Sequence, residues 1–371
     1  WCATPVDGAL LFGNPPYSRF EPPLPYIRKR LLEFAYAAVW FGRDGFAYWK
    51  DYAFHARFWT GEHYDVLLAT WALVRRAPPV KPLRATAFAS SLELCRNHPD
   101  HYDPNRGDGY FWGDVFNTAE ECTAYAYEQA RCDGQLAGFL LDLDAVAALD
   151  PRDVDVLVLP PLAGAAPALL AAIRASHEQG VNLMGFEDVT GLEDLFGVAA
   201  APEPAAVRGI RTAPGRAAEA PWRELDGLRE SCAHPLCRTG YRPAGGDVLL
   251  EGLDADGNPA GPVLMTHRTP RGRTALFCMP PTVVQRADQD QIPRYGRECL
   301  SRLMNRATAL TLRWLGRPAA ETTDGKLIAF RDAHGRAQVI VMEDAWPGTP
   351  KTIEPRVTVH LSGVCPDDIA C

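Results

Sequence analysis

A group of aromatic, charged and imidazole side chains near the start of the chain has the chemistry of a sugar-binding site. Its members are Tyr48, Trp49, Lys50, Asp51, His55, Trp59, Glu62 and His63. A sugar ring offers apolar C–H faces and a rim of hydroxyl groups, which aromatic rings flanked by carboxylates, amines and imidazoles can bind. We therefore predict that Trp49, Lys50, Glu62 and His63 bind substrate. A packed aromatic loop at a domain interface would explain the same residues.

Two short motifs could hold a metal ion, but each has an incomplete ligand set. Cys232, His234 and Cys237 could share one zinc ion, yet structural zinc needs a fourth ligand, and none has the partner spacing. Residues 103–114 imitate a calcium loop at the first two ligand positions, but the glycine comes one place late and the last position is Asp114. We predict no metal site and no cofactor, while metal binding by the Cys/His motif stays open.

A third candidate is a cysteine nucleophile in a parallel sheet, as in class I glutamine amidotransferases. Such a thiol lies on a tight strand-to-helix turn of G-x-C-x-G type, which exposes the sulfur beside backbone donors. After the apolar run 181–186, residues 187–191 are Glu-Asp-Val-Thr-Gly, without a thiol. We therefore predict an amidotransferase-like layer without amidotransferase chemistry.

The composition is that of a globular protein with more than one domain. The chain has 371 residues, of which 47% are hydrophobic and 23% charged, and one domain usually needs about 100–200. The net charge of −8 argues against a nucleic-acid partner. No apolar run reaches the roughly 18–20 residues that cross a bilayer, so we expect no membrane partner. The ten cysteines form no CxxC pair, which favours reduced thiols and a cytoplasmic location. Export stays open because the chain begins without Met.

Hydrophobic periodicity divides the chain into three parts. In residues 1–80, helices flanking a short buried strand form the repeating unit of an α/β barrel. In residues 81–318, continuous apolar strands such as 153–159 and 181–186 alternate with helices, which predicts a parallel sheet covered on both faces. In residues 319–371, alternating strands predict a small β-domain.

The second part carries more detailed predictions. The capping-box spacing of residues 118–121 predicts that a helix begins there and runs to residue 132. Residues 263–267 and 273–278 predict a hairpin, and residues 326–331 and 337–343 predict another in the third part. The apolar residues expected in the core of the parallel-sheet domain are Leu157, Leu159, Leu183, Phe186, Leu276 and Phe277.

Several of these segments resemble the glycoside hydrolase family 42 β-galactosidases. The segment Gly45-Phe-Ala-Tyr-Trp-Lys50, followed by Gly61-Glu-His63, is similar to the last barrel strand of that family and the loop that lines its sugar pocket. Other segments are similar to the amidotransferase-like trimerisation domain of the family, namely 127–134, 153–161, 180–184, 196–198 and 272–277. In the family a small β-domain follows the trimerisation domain, which is the order predicted here.

The resemblance implies a fold class. We expect an α/β protein with a flavodoxin-like, class I glutamine amidotransferase-like parallel-sheet domain over 81–318. The end of a TIM barrel, the C-terminal part of a (β/α)8 barrel, would precede it over 1–80. A truncated β-domain would follow it over 319–371.

The resemblance also implies a mechanism whose catalytic groups this chain does not supply. The family uses two glutamates, an acid/base on the fourth barrel strand and a nucleophile on the seventh. The fourth strand would lie upstream of Trp1. The segment in the seventh position, residues 9–16, has no glutamate, and Glu21 is the nearest carboxylate. We therefore leave the catalytic residues unassigned and expect the chain alone to be inactive.

The sequence thus favours the C-terminal part of a carbohydrate-active hydrolase that acts on glycosidic bonds. Its partners would be a carbohydrate substrate and, through the non-catalytic domain, copies of itself in a trimer. One alternative is a non-enzymatic carbohydrate-binding or oligomerisation module. Another is an active hydrolase or transferase in the parallel-sheet domain. The sugar and its linkage stay open.

Overall fold

A computed structural model describes ten segments of the chain and four helical positions between residues 65 and 72. The segments are 81–82, 85–91, 94, 118–136, 139–215, 221–231, 238–279, 301–331, 337–342 and 356–359. The chain divides into two compact units. The larger consists of Arg84–Asp133 and Gly138–Pro318, and the smaller of Trp1–Leu83, Gly134–Ala137 and Ala319–Cys371. The predicted barrel end lies almost entirely outside the described residues.

The described strands and helices follow one another along the chain. The strands are β1 (Lys81–Pro82), β2 (Ala85–Ser90), β3 (Phe139–Asp142), β4 (Val154–Val158), β5 (Asn182–Phe186), β6 (Val198–Ala206), β7 (Gly209–Thr212), β8 (Arg229–Ser231), β9 (Arg238–Pro243), β10 (Asp247–Leu253), β11 (Pro259–Thr269), β12 (Gly272–Phe277), β13 (Ala320–Thr322), β14 (Lys326–Arg331), β15 (Ala337–Met342) and β16 (Val357–Val359). The α-helices are α1 (Thr118–Cys132), α2 (Pro167–Glu178), α3 (Glu193–Phe196) and α4 (Arg302–Leu315). Short 3₁₀ helices are Leu143–Ala148 and Trp222–Leu225. None of the described helices has the length and apolar character needed to cross a membrane.

The larger unit is built on a mixed sheet with the strand order β3-β2-β4-β5-β12-β11-β10-β7-β8. From β3 to β12 all neighbours are parallel, and from β12 to β8 all are antiparallel. A mixed α/β fold with a parallel region is therefore confirmed. The predicted hairpin of residues 263–267 and 273–278 is confirmed as β11–β12, and the antiparallel half of the sheet extends beyond it to β10, β7 and β8. A turn of two residues joins β11 to β12, and so short a connection can only join antiparallel strands.

The parallel strands are buried because their sequences are apolar on both faces. All six core residues predicted from the sequence are buried. Ile173 of α2 belongs to the same buried cluster as Leu157 and Leu183. The rings of Phe186 and Phe277 stack with their centroids 5.4 Å apart. Helix α4 packs on β4, β5 and β12 and covers one face of the parallel strands.

Charged and polar side chains fix α1 and α4 within the larger unit. Helix α1 has the predicted bounds, and Asp133 just after it forms ion pairs with Arg306 and Arg313 of α4. At the start of α4, Ser301 Oγ accepts a hydrogen bond from the Met304 N–H at 2.9 Å. This N-cap satisfies a helix donor that would otherwise lack an intrahelical partner.

The smaller unit contains antiparallel strands. β14 pairs with β1 and β15, and β13 pairs with β16. The β14–β15 hairpin is therefore confirmed. Residues 134–136 add a short antiparallel contact, in which the Leu136 N–H donates to the Ala320 oxygen at 2.8 Å. Leu136, Ala320 and Leu327 form the buried centre of this unit.

Candidate functional site

The sugar-binding residues predicted from the sequence, Trp49, Lys50, Glu62 and His63, lie outside the described residues. The same is true of the possible zinc ligands Cys232, His234 and Cys237 and of the calcium-like segment 103–114. Across the part of the chain that the structure describes, no group of three or more His, Cys, Asp or Glu side chains could hold a metal ion.

The carboxyl ends of the parallel strands form the candidate site that the structure describes. In open α/β sheets, ligands bind in the crevice beyond these strand ends. Here β2, β4, β5 and β12 are followed by Ser91, Leu159, Glu187 and Cys278. We call this surface the carboxyl edge.

Glu187 occupies a strained turn at the centre of the carboxyl edge. Its φ of 59° is the one positive value at a non-glycine residue among the described positions. The Asp188 N–H donates to the Phe186 oxygen at 2.6 Å, which closes a three-residue γ-turn around Glu187. The Glu187 N–H donates to the Phe277 oxygen at 2.6 Å. Backbone strain of this kind is concentrated at functional sites.

Neighbouring groups hold this turn in place. The Val189 N–H donates to the Tyr241 hydroxyl oxygen at 3.0 Å, and burial raises the pKa of that hydroxyl. The Leu162 N–H donates to the Asp188 oxygen at 2.9 Å. The backbone around Glu187 is therefore attached both to the loop after β4 and to β9.

Gly185 of β5, two residues before Glu187, allows the Val189 and Phe196 side chains to pack close to the strand. A Cβ atom at Gly185 would lie 2.8 Å from Val189 Cγ1, which is closer than real Cβ contacts, and 3.1 Å from Phe196 Cζ, which is a tight contact. The segment 185–189 therefore follows the G-x-C-x-G pattern at its first glycine, with Glu187 at the nucleophile position and Val189 at the last. The missing thiol was predicted from the sequence. The strained backbone at Glu187 was not, because the hydrogen bonds around it come from strands distant in sequence.

The carboxyl edge has no activated nucleophile among its described residues. Cys278 is fully buried, and burial raises the pKa of its thiol, so the reactive thiolate is disfavoured. Ser91 Oγ accepts the Leu94 N–H at 3.3 Å in a local turn. The described histidines bond elsewhere: His267 Nδ1 to the Leu195 oxygen, and His177 to Val181 and Thr269. Glu187 is half-buried and offers a carboxylate, which can accept hydrogen bonds from a ligand.

Comparison with known proteins finds similarity in structure only. No family model matches the chain, and no curated protein matches its sequence. The α-L-fucosidase isoenzyme 2 from Paenibacillus thiaminolyticus is similar with a TM-score of 0.53 and 12% identity, over 86% of this chain and 49% of that one. A β-galactosidase from Rahnella sp. R3 gives 0.48 and 15%, over 87% and 52%. A glycoside hydrolase family 42 β-galactosidase from G. stearothermophilus gives 0.47 and 11%, over 82% and 43%.

The similarity is one of fold because all three identities are low. The chain spans about half the length of the α-L-fucosidase and of the Rahnella β-galactosidase. The fold of this chain is similar to that of part of the α-L-fucosidase.

Proposed function

We propose that the chain is part of a carbohydrate-active hydrolase that acts on glycosidic bonds and is similar to the family 42 β-galactosidases. The observation that carries this proposal is the fold similarity to the α-L-fucosidase, with a TM-score of 0.53 over 86% of the chain. The sequence resemblance at 45–50 and 61–63 supports the family 42 relationship. Carbohydrate is the substrate class, and nucleic acid and membranes are not partners. The cytoplasm is the proposed location.

Within this proposal, residues 81–318 form a flavodoxin-like, amidotransferase-like domain without catalytic function. The strand order β3-β2-β4-β5-β12 supports it, since in chain order these strands have the 2-1-3-4-5 arrangement of flavodoxin-like sheets. The carboxylate of Glu187 at the nucleophile position and the buried thiol of Cys278 support the lack of amidotransferase chemistry. Residues 1–80 are the proposed barrel end, and residues 319–371 the start of a β-domain.

The proposed sugar subsite lies in the barrel segment. Trp49 stacks on a ring face, and Glu62 accepts hydrogen bonds from hydroxyl groups, with Lys50 and His63 beside them. Hydrolysis of a glycosidic bond needs a pair of carboxyl groups, one to protonate the leaving oxygen and one to attack the anomeric carbon or to activate water. That pair is not assigned in this chain, so the chain alone binds sugar without hydrolysing it.

Titration calorimetry tests the proposed subsite. A buried stacking partner contributes about 1 kcal/mol beyond its area, and a hydrogen bond to a charged group about 1.5–3 kcal/mol. Trp49→Ala and Glu62→Ala should therefore each weaken the binding of a galactoside or fucoside about tenfold or more. Glu178→Ala, which removes an exposed carboxylate from α2, is the matched control and should leave affinity unchanged. Unchanged affinity in Trp49→Ala and Glu62→Ala would remove this segment from the site.

Oligomerisation through residues 81–318 is the second part of the proposal. A chain of 40.7 kDa should sediment at three times that mass if this domain forms trimers. A purely monomeric species at micromolar concentration would contradict the trimer and leave the sugar proposal standing. Hydrolysis of aryl glycosides by the chain alone would contradict the assignment of catalysis to groups outside it.

A further inference from the structure

A cleft rich in arginine lies at the edge of the sheet opposite the carboxyl edge. It has a volume of about 530 Å³ and is lined at the end of β11, at the start of β12, and after α2 and α4. We call it the arginine cleft. Four guanidinium groups line it, and they belong to Arg268, Arg271, Arg273 and Arg317. Asp155 is the one carboxylate among the described residues of the lining.

Two of the arginines are held together although their charges repel. Arg268 and Arg273 are directly opposite each other in the β11–β12 ladder, where like charges are unfavourable. Their guanidinium carbons lie 5.4 and 5.3 Å from the centroid of the same Trp314 ring. Burial and then the charge of Arg268 lower the pKa of Arg273. Trp314 is itself fixed by contact with Trp222, whose ring centroid is 5.3 Å away.

The fold itself uses only one of these four charges in a hydrogen bond. Arg273 donates to the Trp314 backbone oxygen at the C-terminal end of α4, where a cation is favourable. Within the described segments, the side chains of Arg268, Arg271 and Arg317 form neither a hydrogen bond nor an ion pair. All three are exposed. The cleft therefore presents three guanidinium groups that a ligand could bind.

The backbone under the cleft is rigid. The Thr269 Oγ1 accepts the Gly272 N–H at 3.0 Å and lies 2.7 Å from His177 Nε2. The Asn182 Oδ1 accepts the Arg273 N–H at 2.7 Å. Hydrogen bonds therefore hold the backbone of the turn that carries Arg271, so a ligand would have to order only the exposed side chains.

We propose that the arginine cleft binds a small molecule that carries a phosphoryl or pyrophosphoryl group. Guanidinium groups bind phosphate oxygens in a bidentate geometry. Three guanidinium groups match a ligand with two or more negative charges, whereas a single carboxylate would neutralise only one. Because the net charge of the chain is −8, nonspecific attraction does not favour anions.

Inorganic pyrophosphate is the probe, titrated calorimetrically into the chain at constant ionic strength. We expect binding that the double variant Arg271→Gln/Arg317→Gln weakens about tenfold or more, since each side chain would lose a charge-assisted hydrogen bond. Both side chains are exposed, so melting temperatures should not change. The matched control, Arg208→Gln/Arg242→Gln, removes the same charge from exposed positions outside the cleft and should stay within about twofold.

Two results would overturn the proposal. One is the absence of pyrophosphate binding at millimolar concentration. A polyglutamate peptide is titrated in parallel, and if only this peptide binds, the partner of the cleft is an acidic protein surface. The other is an equal loss of binding in both double variants, which would indicate a general charge effect. Neither result bears on sugar binding by Trp49 and Glu62, so the two proposals fail separately.

Discussion

Replacing Glu187 should reveal the strain stored in its turn. A non-glycine residue in the left-handed conformation is destabilised by about 1–2 kcal/mol, and glycine relieves this penalty. Glycine also adds about 0.4–1 kcal/mol of conformational entropy to the unfolded chain. We therefore expect Glu187→Gly to be about 1 kcal/mol more stable than Glu187→Ala. Both variants remove the carboxylate, so their difference isolates the backbone.

Urea denaturation followed by tryptophan fluorescence measures this difference, since Trp222 and Trp314 are buried in the same unit. Ala175→Gly in α2 is the control. There the same exchange of alanine for glycine should destabilise the protein by about 0.5–1 kcal/mol. If Glu187→Gly is equal to or less stable than Glu187→Ala, the turn at Glu187 stores no backbone strain.

Three further variants test the packing and electrostatics of the larger unit. Gly185→Ala should destabilise it by about 1–3 kcal/mol, because the new Cβ would lie 2.8 Å from Val189 Cγ1. Gly240→Ala is the control and should leave stability unchanged, because the space around Gly240 is open. Urea denaturation measures both free energies of unfolding. Asp133→Asn should lower stability by about 2 kcal/mol, because two arginines of α4 lose their carboxylate; thermal melting measures this. Burial lowers the pKa of His177 in the folded protein, so as the pH falls this imidazole is protonated in the unfolded chain before it is protonated in the folded one. Stability should fall below about pH 6.5, and less so in His177→Gln, which melting curves at pH 5–8 would show.

The parts of the fold that the sequence predicts are those whose signals are local. Continuous apolar runs predicted β4 and β5, capping-box spacing predicted α1, and turn residues predicted the hairpins β11–β12 and β14–β15. The antiparallel strands β7, β8 and β10 were missed. The pairing of β7 with β10 joins segments distant in sequence, so no local pattern predicts it. The pairing of β10 with β11 is local, and Asp256-Gly257 between these strands is a hairpin signal that was overlooked.

The sites show the same division. The missing thiol at position 187 could be predicted, because residue type is local. The backbone conformation of Glu187 could not, since it depends on Phe277 of β12 and on Tyr241 of β9. The arginine cleft was also missed, because only folding brings Arg317 to the turn that carries Arg271.

Hydrogen exchange in the presence of a galactoside or fucoside tests most directly the proposal that residues 45–63 bind sugar. Bound ligand slows amide exchange in the segments that it orders. We predict slower exchange in peptides that cover residues 45–63 and unchanged exchange in peptides that cover residues 185–191 of the carboxyl edge. Slower exchange at 185–191 with no change at 45–63 would contradict the account, because it would place the sugar site in the parallel-sheet domain.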